Sequence, residues 1–178
     1  MFRRGFDHSK NKRVFNSPLE QSRGKHLLDP EDWHPHSHFL FVYSIFRDMK
    51  YMEAGNYSEA IETDHFVSET KVVNMATLGW FPKMIMDGNQ DVLNDSMKET
   101  IRFIQETFYS ENNTSKLMNQ FYNSLTFLKE FLDNSKEKLE LVLEDFWDIA
   151  VSNNNLEGTE REMFIESSKF FDIPVNIE

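Results

Sequence analysis

From residue 39 onward, apolar residues recur at steps of three and four; before it they do so almost nowhere. Phe39, Val42, Tyr43, Phe46, Met49 and Met52 keep that spacing, the mark of a helix with one apolar face. Gly55-Asn56 is its stop signal. Ser58 can cap a short segment running to Phe66, and Ser68 begins another, with Val72, Met75 and Ala76 on one face, ending near Gly79. Trp80-Phe81-Pro82 predicts a turn or a helix start, because proline is accepted in a first helical turn. Asp87 to Asp91 is a loop, and the helix after it carries Leu93, Met97, Ile101, Ile104 and Phe108. Asn113 or Thr114 caps a helix burying Leu117, Met118, Phe121, Leu125, Leu128 and Leu132. Asp133-Asn134 breaks it, and Ser135 caps the next, whose apolar face is Leu139, Val142, Leu143, Phe146 and Ile149. Lys138 stands where a capping box would place Glu or Gln, so that box is absent. Residues 152–155 form a loop, and a last helix runs from Glu160 to Asp172, stopped by Pro174.

The predicted fold is therefore all-α: a single bundle of about six or seven helices, with the short connections of roughly 2–8 residues usual in bundles. Residues 38–178 form this body. Residues 1–37, with Pro18, Pro30 and Pro35 and no sustained period, read as an extended N-terminal arm. The body is long enough to bury a core, and the 17 Phe, nine Met, five Tyr and three Trp of the chain supply it; each buried aromatic covers on the order of 150–250 Å².

Charge divides at the same boundary. The first thirty residues hold seven cations (Arg3, Arg4, Lys10, Lys12, Arg13, Arg23, Lys25) against Asp7, Glu20 and Asp29, a net of +4. The remainder holds 12 cations against 27 acids, a net of −15, and the whole chain stands at −11. An acidic body disfavours nucleic acid, since phosphate contacts need clustered cations. A basic arm suits an acidic protein surface, so the arm cations are the candidate partner-binding residues and other protein subunits the candidate partners. With no Cys there are no disulfides, thiolate metal sites or cysteine nucleophile, and the expected setting is intracellular, in the cytoplasm or an organelle interior. No run approaches the roughly 18 apolar residues of a membrane span. Asp7 and the retained Met1 argue against reading Met1-Phe2-Arg3-Arg4 as a cleaved leader.

Near the C-terminus stands Phe146-Trp147-Asp148-Ile149-Ala150-Val151-Ser152-Asn153-Asn154-Asn155-Leu156-Glu157-Gly158-Thr159-Glu160-Arg161-Glu162. This stretch, within residues 139–174, resembles the helix–acidic loop–helix unit of TerB-like (tellurite-resistance TerB) domains. Asn153 and Asn154 take the family's Asp-Gly places, Leu156 its aliphatic place and Glu160 its Glu. Asn154 can adopt the left-handed conformation, Leu156 would plug the core, and Glu160 suits a helix N-terminus. Phe81…Met86-Asp87-Gly88-Asn89 is a looser echo of the same unit. The resemblance implies a body of two helical halves and an association with tellurite-resistance or membrane-stress systems. The same grammar is that of an EF-hand, and Asp87, Asn89 and Asp91 match positions 1, 3 and 5 of a calcium loop. Val92 and Lys98 then replace the required Gly and Glu, and a turn at Asn153–Gly158 places Phe164 at position 12. Both loops read as polar turns.

His34, His36 and His38 are the candidate metal ligands: alternating histidines in an extended segment point to one side, and imidazole suits zinc, copper or nickel. The alternative is a polar linker stiffened by Pro30 and Pro35. Trp33, between arm and body, can anchor the arm in a partner's pocket, as Trp often does at interfaces, or cap the body's own core. Phe121, Phe146, Trp147 and Phe170 read as core, and Glu137, Glu140, Glu144, Asp145 and Asp148 as a solvated acidic face. Glu62, Asp64 and His65 lie close but need no catalytic role in a chain with 30 acids. There is no glycine-rich phosphate loop and no Gly-x-Ser-x-Gly elbow. No enzyme and no cofactor are expected. The sequence reads as an accessory subunit of a larger assembly, docked by its helical body and tethered by its arm; the alternative is a TerB-like stress-response or metal-associated domain.

Overall fold

Fourteen consecutive residues, His36 to Met49, are buried on a single helix, α1 (Pro35–Ala54). A helix sheltered on every side is a central one, and the other elements of this computed structural model form its shell. The structure describes residues 30–110, 113–152 and 156–175. Among these it holds α-helices and no strand, as the sequence predicts. A 3-10 turn (Pro30–Asp32) leads into α1. Then come α2 (Tyr57–Ala60), α3 (Asp64–Leu78), α4 (Pro82–Met86), α5 (Gln90–Ile104), α6 (Thr114–Phe131), α7 (Lys136–Val151) and α8 (Gly158–Phe170). Helices α3, α5, α6, α7 and α8 all pack on α1; α7 also packs on α3 and α8. No helix here is long and apolar enough to cross a membrane.

Local chemistry sets the boundaries. Pro35 opens α1, where its missing N–H costs nothing. Gly55 closes it with φ +73°, its N–H and that of Asn56 donating back to Met52 and Tyr51, the bonding of a Schellman cap. Asp133 and Asp172 take the same left-handed role after α6 and α8 without glycine. Asn113 and Ser135 cap α6 and α7 as expected, accepting from the N–H groups of Lys116 and Lys138.

Three boundaries differ from expectation. Residues 35–37 belong to α1 and not to an extended arm, because Pro35 starts a helix as readily as it stiffens a linker. Ser68 does not begin a helix: Thr63 caps α3 by accepting from Phe66 N–H, and Ser68 lies inside it. Residues 105–109 form a π turn continuing α5, with Ser110 N–H donating to the Gln105 carbonyl. That extra residue in the turn points Tyr109 to α1, where its hydroxyl donates to Asp48.

The core around α1 is largely aromatic. Phe46 stacks on Phe146 of α7 with ring centres 4.6 Å apart, and Phe39 stacks on Trp80 at 4.7 Å. Phe146 also meets Tyr43 edge-on and lies near Phe121 of α6.

Candidate functional site

Successive turns of α1 carry polar side chains into this apolar core, where they bond side chains of the surrounding helices. At the first turn, His36 Nε2 lies 2.5 Å from Ser96 Oγ of α5, and His38 Nδ1 lies 2.9 Å from Ser124 Oγ of α6. Thr100 Oγ1 donates to Ser37 Oγ. One turn and more along, Tyr43 donates to Asp145 of α7, and Trp80 Nε1 lies 2.9 Å from Tyr43 Oη and 3.1 Å from Asp145. Next, Arg47 holds Asp48 through two bonds of 2.5 and 3.0 Å, donates to Thr70 of α3 at 3.0 Å, and lies 4.2 Å over the Phe66 ring. Last, Lys50 reaches Glu69 of α3 at 2.8 Å and Glu160 of α8 at 2.7 Å, while Tyr51 donates to Glu69 at 3.0 Å.

The electrostatics follow from burial. Burial pulls His38 down to about 3. His36 lies well below the usual imidazole range through burial, helped by its neighbours His34 and His38. Both rings are therefore neutral at pH 7. Burial pushes Tyr109 well above its usual range, and the charge of Asp48 adds to this. The Glu160 carboxyl rises to about 7: burial outweighs the pull of Lys50, and Glu69 and Glu157 add repulsion.

The structure does not group the three candidate ligands His34, His36 and His38 on one side. Such grouping needs an extended segment, but the segment is the start of α1, where residues two apart do not share a face. His36 turns to α5 and His38 to α6, where it stacks on Phe127 at 4.0 Å; His34 stacks on His36 at 5.1 Å. Among the described residues, no three His, Asp or Glu side chains are grouped to hold a metal ion. The calcium-type loop fails for a similar reason. Positions 4 to 12 would fall on residues 90–98, which are helical from Gln90. Asp87 pairs with Lys83 at 3.6 Å.

Trp33 is 6% exposed and packs on His38, Phe41 and Phe103, so its ring is spent on the body's own core. Arg3, Arg4, Lys10, Lys12, Arg13, Arg23 and Lys25 lie outside the described residues. Trp147 is 43% exposed and meets Phe164 of α8 by one edge, which corrects its assignment to the core; Phe121 and Phe146 are fully buried. Asp145 leaves the acidic face for Tyr43 and Trp80, while Glu137, Glu140, Glu144 and Asp148 stay exposed. Of the TerB-like positions, Leu156 packs on the core and Glu160 sits in the first turn of α8; Asn153, Asn154 and Asn155 lie outside the described residues.

Sequence reasoning missed Arg47, Asp48, Lys50 and Glu69. An Arg-Asp pair inside the run Phe39 to Met49 was the available signal for the first two, since charge embedded in so apolar a stretch needs partners. Nothing near Glu69 in sequence marks it as fully buried. A groove of about 640 Å³ lies between α8 and the chain after it, lined by Arg161, Ile165, Lys169, Asp172, Ile173 and Val175 among others. Two smaller hollows flank Pro30, Gln120 and Asn123, where the arm joins the body. No family model, no curated protein and no solved structure matches this chain.

Proposed function

We propose that this chain is a non-enzymatic accessory subunit of a larger protein assembly, docked by its helical body and tethered by its basic arm. The observation that carries this reading is the charge division, +4 over the first thirty residues and −15 over the rest, with its boundary at a fixed point. Trp33 is locked into the core three residues after the last of those thirty, so the arm is rooted on a rigid base. A segment tethered at such a root meets a surface next to the docked body at a raised effective concentration, set by the length of the tether. Charge then favours an acidic neighbour for the arm. For the body, the outer stripe of α7 offers Glu140, Glu144 and Asp148 beside the exposed Trp147 and Val151, which suits a basic partner with an apolar centre.

The test is native purification from the source cell, with mass determination of what accompanies the full chain and a chain lacking residues 1–29. A stoichiometric partner set that thins on removal of the arm, with helicity unchanged, is the expected result. A lone monomer from both chains would refute the proposal. The TerB-like alternative rests on the sequence resemblance within residues 139–174. It predicts association indifferent to the arm and a melting temperature that responds to added zinc or nickel.

A further inference from the structure

The two buried ionic clusters of α1 differ in a way that bears on regulation. Arg47 and Asp48 match one cation to one carboxylate. The ammonium of Lys50 is divided between two carboxylates, Glu69 and Glu160, whose side chains are 0% and 6% exposed. These three groups come from three helices, so the cluster pins α8 to α1 and α3. We propose that it is a proton-operated latch: uptake of one proton by Glu160, which shares the Lys50 ammonium with Glu69, tightens the docking of α8, and its release loosens it.

Burial penalises a carboxylate relative to a carboxylic acid, and a shared ammonium compensates each of its two partners only in part. The groups acting on Glu160 all push in known directions. From α1, Lys50 favours its charge; from α3, Glu69 opposes it; from α8 itself, Glu157 opposes it. Tyr51 donates to Glu69, and Glu53 accepts from Thr159 beside Glu160. Helix α7 presents Trp147 to Phe164, and α6 meets the far end of α8, where Lys129 donates to the Phe170 carbonyl. Burial and the two acids prevail, which places the midpoint of Glu160 at about 7.

The direction follows from linkage. A carboxyl whose docked value is raised above its free value favours docking in its protonated form, so stability is present at low pH and is lost as pH rises through about 7. With an ordinary free carboxyl near 4.5, the population with α8 open should grow about three- to tenfold between pH 6 and pH 8.

Hydrogen exchange of the α8 amides in the full chain, corrected for the intrinsic pH dependence of exchange, reads this population directly. It is paired with a carboxyl-detected NMR titration. Glu160→Gln, a neutral mimic of the protonated form, should hold the low-pH level of opening at both pH values. Glu69→Gln is the second variant: it leaves Lys50 wholly to Glu160 and should move the remaining titration toward the ordinary carboxylate range. A Glu160 midpoint below 5, an opening that changes less than twofold, or equal pH dependence in parent and variants would each overturn the proposal.

Discussion

Removing either member of the Arg47–Asp48 pair should harm the protein more than removing both. The two side chains are 5% and 1% exposed and hold one another through two bonds of 2.5 and 3.0 Å. In Arg47→Met, Asp48 keeps only the Tyr109 hydroxyl of the partners described above, and a buried carboxylate robbed of its cation costs about 3–5 kcal/mol. In Asp48→Leu, the guanidinium keeps Thr70 and the Phe66 face but no countercharge, and the same range of about 3–5 kcal/mol applies. The double variant buries no charge. What it leaves behind is the Tyr109 hydroxyl, a neutral orphan of about 1–3 kcal/mol, against which apolar packing in place of an ion pair gains something. The double variant should therefore lose only about 1–2 kcal/mol, less than either single one. Against a total stability of about 5–15 kcal/mol, these differences are large. Urea unfolding followed by far-ultraviolet circular dichroism resolves them. If the loss in the double variant equalled the sum of the two single losses, the pair would not be acting as a coupled buried unit and the reasoning would fail.

Two further outcomes follow from the same geometry. Phe146→Ala removes the ring that joins α1, α6 and α7 and should destabilise by about 3–5 kcal/mol, read as a lowered midpoint in the same urea assay; an unchanged midpoint would mean the α7 seam is misplaced. His38 is neutral in the fold because burial pulls it down to about 3, so its contribution is present above the free value of 6.5 and is lost as pH falls toward 3. At pH 4.5 the loss should be about 2–3 kcal/mol. His38→Phe should flatten the fall of melting temperature between pH 6.5 and 4, and a slope equal to the parent's would contradict a buried neutral ring.

The helical pattern was legible because most shell helices have one wet face. The spacing of Leu117, Phe121, Leu125 and Leu128 on α6 is visible precisely where the intervening residues are polar. The central helix hid its nature, since the same spacing from Phe39 to Met52 marks an amphipathic helix while the residues between are also buried. Its histidines were read by local habit, as metal ligands or a polar linker, and Arg47, Asp48 and Lys50 were passed over. Their partners lie on other helices, Ser96 sixty residues away and Glu160 a hundred and ten, and no local pattern encodes such pairings. The π turn escaped for another reason. Tyr109 is drawn inward by Asp48, a tertiary force that helical spacing does not record.

The enclosure of α1 has a consequence for how the protein comes into being. Among the described residues this helix is the first long element, and the last helix packed on it, α8, ends 116 residues after it does. At roughly 5–20 residues per second, about 6–23 s separate the emergence of Ala54 from that of Phe170. Through that interval a segment as apolar as Phe39 to Phe46 waits on the ribosome without its complete covering. Until α8 emerges, the apolar side of α1 that it will cover stays open to non-native contacts, and its arrival ends that exposure.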